Sequence, residues 1–326
     1  MKAVTRSRYG GPELISISKL PAPTIQNDDI LVRVAYTTVN RTDCAHLTGE
    51  PKINRLVTGI VKPTKLILGT DFSGEIVETG KAVRNFTSGD RIFGFKDTGF
   101  ASMAEYLVCK ATDPILQIPE NIDFSIAAAS LEGSHYALNF LNKVRLKPGQ
   151  TALVNGGSGA IGSALLQFLK NYQVETITTG PASQVENLKN LGASEVIDYK
   201  RADFSQISEK FDFVFDAVGK SRFKTCKNLL KKNGIYMSSE TGPGMENLWL
   251  SFRSIFAQGQ KVRFPFPKDI NGSLRIMAEL LKKEQFSPLL DRSFPIDDAE
   301  QAFQYVASGQ KNGNVLLQIS ADGFRS

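Results

Sequence analysis

Two hydrophobic rhythms divide this chain. The first ~115 residues carry short alternating apolar runs broken by Gly, Pro and Asp, the pattern of short antiparallel strands in a rolled or barrel-like sheet. Examples are ILVRVAY (Ile30–Tyr36), FSGEIVETG (Phe72–Gly80) and DRIFGF (Asp90–Phe95). From about Phe124 the spacing lengthens into strand–helix alternation. TALVN (Thr151–Asn155) reads as a short buried strand, followed by GGSGAIG and a helix with Ile161, Leu165, Phe168, Leu169 and Tyr172 on one face. VETITT, KNLGASEVIDY, FDFVFDAVG and NGIYMSS continue the alternation, which predicts an α/β fold with a doubly wound parallel sheet. The closing DRSFPIDDAEQAFQYVASGQKNGNVLLQI reads as strand, helix, Gly turn and strand, returning to the opening texture. The expected organisation is one domain from residues 1–121 and 286–326, with a second, 122–285, inserted between its halves.

At 326 residues the chain is long enough for two well-buried cores. Hydrophobic residues make up 41%, with no low-complexity tract, so disorder and solenoid repeats are set aside. A net charge of +6 is spread along the chain instead of collected in one block, which argues against nucleic acid as the partner. Cys44, Cys109 and Cys226 are far apart and odd in number, a pattern of reduced thiols that suits a cytoplasmic setting. MKAVTRSRYGGPE lacks the apolar core of a signal peptide, and LWLSFRSIF (Leu248–Phe256) is too short to span a bilayer, so it is read as a packing or interface element.

The chemistry-bearing signal is Gly157-Ser158-Gly159-Ala160-Ile161-Gly162, a GxGxxG between a strand and a helix. In this context Gly157 allows a tight turn, Gly159 a close approach of a pyrophosphate to the backbone, and Gly162 close helix–strand packing. The helix start then faces the phosphate charge. NAD sites place an acid about twenty residues beyond the first Gly. Here that region is Thr176 to Ser183, without an acid. Thr179, Gly180 and Ser183 offer donors, and Tyr199 with Lys200 follows the next strand, so NADPH is the expected cofactor.

With these segments in view, the chain resembles zinc-free members of the medium-chain dehydrogenase/reductase superfamily, in the quinone oxidoreductase branch. The likeness runs through MKAVTRSRYGGPEL, LGTDFSGEIVETG, GDRIFG, LKPGQTALVNGGSGAIGSALLQFLK, LGASEVIDYK, FDFVFDAVGK and DRSFPIDDAEQAF, in order. It implies a GroES-like β-rich catalytic domain plus a Rossmann domain, a cofactor cleft between them, NADPH, and a homodimer paired through VRFPF (Val262–Phe266). It also implies backbone contact to the nicotinamide ribose near Val218.

Zinc-dependent cousins carry a Cys where this chain has Asn40 and a His–Glu pair where it has Thr70 and Asp71, and their four-cysteine lobe is absent. Zinc takes about four N, S or O ligands. Asp43, Cys44 and His46 are the one remaining cluster of ligand types, and their close spacing cannot enclose an ion unaided. No metal is therefore expected.

Without a Lewis acid, the natural hydride acceptors are already electrophilic: quinones or α,β-unsaturated carbonyls. Asn40 is the first candidate for a polar contact to the reacting group. The branch's Tyr is replaced by Ala45, which leaves His46 or solvent as the proton source, and Tyr136 as a residue lining the nicotinamide ring. Other departures are the lack of a Lys near Ser183 and Asn314 in place of a Lys. Alternative readings are an enoyl-thioester reductase of the same superfamily, and a low-turnover NADPH-binding sensor or nucleic-acid-binding protein.

Overall fold

The computed structural model describes residues 1–320, apart from the side chains of Ile53 and Val57. The last six residues of the expected 286–326 segment lie outside the described residues. Contacts gather into two compact units: Met1–Glu132 with the segment from Asp269 onward, and Gly133–Lys268.

The first unit opens with strands β1 (Lys2–Thr5), β2 (Ser16–Lys19), β3 (Asp29–Val39), β4 (Asp71–Thr79), β5 (Arg91–Phe95), β6 (Tyr106–Lys110) and β7 (Ile115–Gln117). Between them lie helices α1 (Arg41–Thr48) and α2 (Arg55–Thr58), and α3 (Phe124–Ala129) follows. The second unit contains α4 (Glu132–Leu141) from its second residue on, and strands β8 (Thr151–Asn155), β9 (Glu175–Gly180), β10 (Glu195–Asp198), β11 (Phe211–Asp216), β12 (Leu230–Ser238) and β13 (Lys261–Val262). Its further helices are α5 (Ala160–Asn171), α6 (Val185–Asn190), α7 (Phe223–Cys226) and α8 (Glu246–Arg253). The chain then returns to the first unit with α9 (Ile270–Lys282), β14 (Leu290–Pro295), α10 (Ala299–Ala307) and β15 (Asn314–Gln318).

The first unit's main sheet has the order β14-β15-β3-β4-β5-β7, with β6 also on β3. Strand β3 is its hub. It pairs antiparallel with β4, β6 and β15, the last through Val315 opposite Val39 and Gln318 opposite Tyr36. Val, Ile and Phe on these strands, with Phe303 and Val306 of α10, form one core in which Phe72 meets Phe100 edge-on at 5.1 Å. Each such fully buried side chain contributes roughly 1.5–3 kcal/mol. The units divide at Glu132 and Asp269, not at 121 and 286. The reason is packing: α3 lies on β3, β4 and β15, and α9 lies on β7 and β5.

In the second unit the sheet is wholly parallel in the order β10-β9-β8-β11-β12-β13. The order reverses direction beside β8, where α/β folds place ligands outside the carboxyl ends of the strands. Helix α5 buries Leu165, Leu166, Phe168 and Leu169. Tyr172, expected on that face, is the helix's C-cap and stands 53% exposed, because the helix ends at Asn171.

The expected strand Val262–Phe266 is shorter than its apolar run: pairing stops at Val262. Pro265 and Pro267, lacking N–H groups, cannot extend the ladder. Helix α8 sends Leu250 towards the core but leaves Trp249 and Phe252 exposed, stacked at 6.1 Å. Among the described residues, no helix is long and apolar enough to cross a membrane.

Candidate functional site

The carboxyl end of β8 builds the glycine loop. Its left-handed residue is Gly156 (φ +89°), one position earlier than the Gly157 expected to make the turn. Gly157 serves packing instead, since a Cβ there would overlap the Thr178 side chain. At Gly162 a Cβ would overlap the Gly156 carbonyl oxygen, so this glycine seats α5 against the loop. Gly159 differs from both. It is extended (φ −81°, ψ 170°), and a Cβ there would meet only the Gly156 oxygen, at an ordinary 3.5 Å. No fold constraint accounts for glycine at 159, which leaves the backbone bare on that side.

Gly159 is the N-cap of α5 with no side-chain cap, and the first helical turn closes with Ser163 N donating to the Gly159 carbonyl at 2.9 Å. The N–H groups of Ala160, Ile161 and Gly162 precede that bond and have no intrahelical acceptor. Together with the helix dipole they could hold an anion, with Ser158 buried beside them.

A buried polar chain that the motif did not announce holds this loop in shape. The Thr179 hydroxyl accepts from Gly156 N (2.8 Å) and donates to Asn155 Oδ1 (2.8 Å). Asn155 Nδ2 donates to Asp216 Oδ1 (3.0 Å). Asp216 in turn accepts from Val218 N (3.3 Å), Lys220 N (3.3 Å), Ser221 N (2.9 Å) and the Ser238 hydroxyl (3.2 Å). The expectation that Thr179 donates to a ligand is therefore corrected: its proton is spent on Asn155, and its work is to brace the loop. Val218 packs its side chain where a Cβ on Gly156 would lie.

The corner beyond β9 has no acid at the carboxyl end of that strand, whose one acid, Glu175, is at its start. Gly180 ends that strand opposite Asp198 of β10, so the loops carrying Ser183 and Tyr199 emerge side by side. Ser183, Tyr199 and Lys200 are exposed. Asp198 is occupied by the Lys200 amide (3.0 Å) and Arg201 (3.7 Å). Arg201 is thus a second cation at this corner that the sequence reading did not single out.

In the first unit, Asn40 follows β3 and caps α1. Its Oδ1 accepts from Asp43 N (2.8 Å), and its Nδ2 donates to Thr70 Oγ1 (2.9 Å) and Thr38 Oγ1 (3.2 Å). With 4% of its surface exposed, Asn40 spends its side chain on Asp43, Thr70 and Thr38, where a polar contact to the reacting group was expected. Asp71 collects Thr38 N (2.7 Å), Thr38 Oγ1 (2.5 Å) and Thr37 Oγ1 (3.0 Å) beneath it. Burial pushes both Asp43 and Asp71 upward, Asp43 strongly and with the neighbouring Asp71 adding to it.

His46 does not join Asn40. It lines a cavity of about 20 Å³ with Arg6, Lys65, Thr98 and Gly99. Burial, then the charges of Arg6 and Lys65, depress its pKa to about 4. At neutral pH it is an uncharged imidazole, which corrects the expectation of His46 as a proton source. Burial raises the Cys44 thiol to about 12. Among the described residues no three His, Cys, Asp or Glu side chains converge as metal ligands. Tyr136 belongs to the second unit, half-buried on α4 with its ring edge-on to His135 at 5.6 Å.

The titratable group that sequence reading missed is Glu132. Buried, it accepts from Thr42 Oγ1 at 3.1 Å. Burial raises its pKa to about 7 against the pull of Lys311, with Asp71 adding to the rise and the Thr42 hydrogen bond and Arg41 opposing it. Only the Thr42 hydroxyl, in the first turn of α1, could have hinted at it.

Residues 26–120 match the alcohol dehydrogenase GroES-like domain, and residues 191–317 match the zinc-binding dehydrogenase domain. A 2-methylene-furan-3-one reductase of Solanum lycopersicum is 27% identical over 97% of this chain and 79% of its own length. An NADPH-dependent alkenal/one oxidoreductase of Arabidopsis thaliana is also 27% identical, with the same coverage of both chains. The solved quinone oxidoreductase of Coxiella burnetii superposes with a TM-score of 0.85 at 25% identity, over 98% of this chain and 99% of that one.

The two loop glycines separate by experiment. Gly159→Ala is expected to keep the fold within about 1 kcal/mol, as a cap substitution does, yet weaken nicotinamide-cofactor binding at least tenfold by calorimetry. Gly162→Ala is expected to cost about 3 kcal/mol in denaturant unfolding, because it overfills a packed contact. Unchanged cofactor affinity in Gly159→Ala would disprove the cradle.

His46 sets a pH dependence. Its folded pKa lies below its unfolded value of about 6.5, so the unfolded state binds more protons and stability falls as pH drops from about 6.5 to 4. The loss is at most ~3 kcal/mol. His46→Gln is expected to flatten that part of the unfolding-versus-pH curve; parallel curves for the two proteins would rule it out.

Proposed function

The chain belongs to the medium-chain dehydrogenase/reductase superfamily, and from that premise we propose that it is a zinc-independent, NADPH-dependent reductase of quinones or α,β-unsaturated carbonyls. The observation that carries the reading is the glycine cradle, where Gly159 is bare for no structural reason at the start of an uncapped helix whose first three N–H groups have no intrahelical acceptor. This fits a dinucleotide pyrophosphate: Gly157 to Gly162 would hold it, with Val218 beside the loop. When bound, the nicotinamide supplies the hydride.

Preference for the 2′-phosphate is supported by the acid-free end of β9 and by Lys200 and Arg201 next to it. The NADPH-dependent Arabidopsis relative agrees with it. Zinc independence is supported by Asn40 and Thr70, which stand where ligands would be needed and spend their side chains on each other. The acceptor must then be electrophilic without metal help. The Solanum and Coxiella relatives are named for an enone-type and a quinone substrate.

Protonation of the product needs a group that holds a proton near neutrality. Glu132 fits, with a pKa near 7 and a hydroxyl, Thr42, on its carboxyl through which a proton can pass. Asn40 and Asp43 fix the start of α1, and with it Thr42, through their reciprocal cap.

Steady-state NADPH oxidation against quinones, enals and enoyl-thioesters tests the assignment. Turnover is expected on the first two. Activity should fall as pH rises through about 7. Glu132→Gln should lower kcat by about 10²-fold and remove that limb, with KM for NADPH unchanged. Turnover confined to thioesters would favour an enoyl-thioester reductase, and none on any acceptor would defeat both enzyme readings.

Cofactor choice gives a separate check. The kcat/KM ratio of NADPH to NADH is expected to exceed about tenfold, and the double variant Lys200→Glu/Arg201→Glu should bring it near or below unity. An unchanged ratio would place 2′-phosphate recognition elsewhere.

A further inference from the structure

The parallel sheet has a second end. Opposite the glycine loop, where β8, β11 and β12 begin, their first residues wall a concave pocket of about 560 Å³. Arg145, Gln150, Asp212, Lys231, Lys232 and Arg263 line it, with Phe213 and Ile235 at the base. Four of these side chains are cationic and one is acidic.

The acid is already engaged. Asp212 Oδ2 accepts from Lys231 Nζ (2.8 Å), Thr151 N (2.9 Å) and Thr151 Oγ1 (3.2 Å), so it neutralises Lys231 and no other cation. Arg263 donates to the Lys143 carbonyl, which fixes the guanidinium to the wall without cancelling its charge. Arg145 and Lys232 are exposed and have no ion pair among the described residues. Gln150 uses its carbonyl oxygen on Lys147 N (2.7 Å), leaving its amide donors to the pocket.

Three uncompensated cations in one concavity concentrate positive potential, because the low-dielectric wall focuses the field. Nothing in the fold requires this: like charges held together oppose folding, and none of the three pairs with an acid. A single small anion would leave most of the charge and the volume unused, whereas 560 Å³ lies within the range of organic ligand sites.

We propose that this pocket binds a polyphosphate, a ligand with two or more adjacent phosphoryl groups, held by Arg145, Lys232 and Arg263. It is separate from the cofactor cradle, since β8 runs from Thr151 at the pocket to Asn155 at the loop, roughly 13 Å of strand. The inference does not rest on the proposed activity.

Isothermal titration of the full-length protein at low ionic strength tests it, with inorganic tripolyphosphate and ATP as probes. Binding of tripolyphosphate at one site per chain is expected, undiminished by saturating NADPH. Arg145→Gln/Lys232→Gln should weaken it at least about tenfold, while a control on α6, Lys189→Gln, leaves it unchanged. Tighter binding of ATP than of tripolyphosphate would identify a nucleotide as the source of the phosphates, and equal binding an inorganic chain. Displacement by NADPH, equal binding by the double variant, or the same loss in Lys189→Gln would overturn the site, assigning the signal to the glycine loop or to diffuse charge. Because both substituted side chains are exposed and make no hydrogen bond or ion pair among the described residues, the double variant is expected to match the wild type in thermal unfolding.

Discussion

The hydrogen-bonded chain Thr179–Asn155–Asp216 ties together the carboxyl ends of β9, β8 and β11, and the ligand-facing geometry of the second unit depends on it. All three side chains are buried, so each bond is made out of water, and leaving one partner unsatisfied costs about 1–3 kcal/mol. One end of the chain fixes Gly156, and with it the glycine loop; the other fixes the backbone from Val218 to Ser221. The two loops are therefore set by one polar thread.

The first unit uses the same device differently. Asn40, Thr38, Thr70 and Asp71 are buried and hydrogen-bond to one another at the start of α1. A metal would draw its ligands around itself. Here the amide, the hydroxyls and the carboxylate hold one another instead, and the polar groups are used to orient a helix. The outcome is a rigid base under Thr42 and, through it, Glu132, whose raised pKa follows from burial. In the proposed reaction the proton-holding group is therefore Glu132, which looks ordinary in sequence, and not Cys44 or His46.

Several elements were readable from residue order alone. The alternating runs around Ile30–Tyr36 and Phe72–Gly80 became β3 and β4, and the strand–loop–helix about Gly157–Gly162 became β8 and α5. Period-2 and period-3.6 patterns survive folding because they record which face is buried. Errors came at ends and caps. Tyr172 continued the helical stripe but fell beyond the last turn, and the Val262–Phe266 run was cut short by its prolines. The turn assigned to Gly157 belongs to Gly156, since spacing identifies a glycine loop but not which member takes positive φ.

The sequence by itself determined the fold class and the place of the glycine loop, for both depend on local periodicity and on a contiguous motif. It also determined that the residues at 40, 70 and 71 are Asn, Thr and Asp, a set that supplies no thiolate or imidazole. Only the tertiary structure decided what the individual side chains do. Thr179 donates inward to Asn155, 24 residues away; Glu132 meets Thr42 across 90 residues; and His46 loses its proton affinity to burial beside Arg6 and Lys65. Such roles turn on burial and long-range partners, which arise when distant segments pack and leave no mark on their neighbours in the chain.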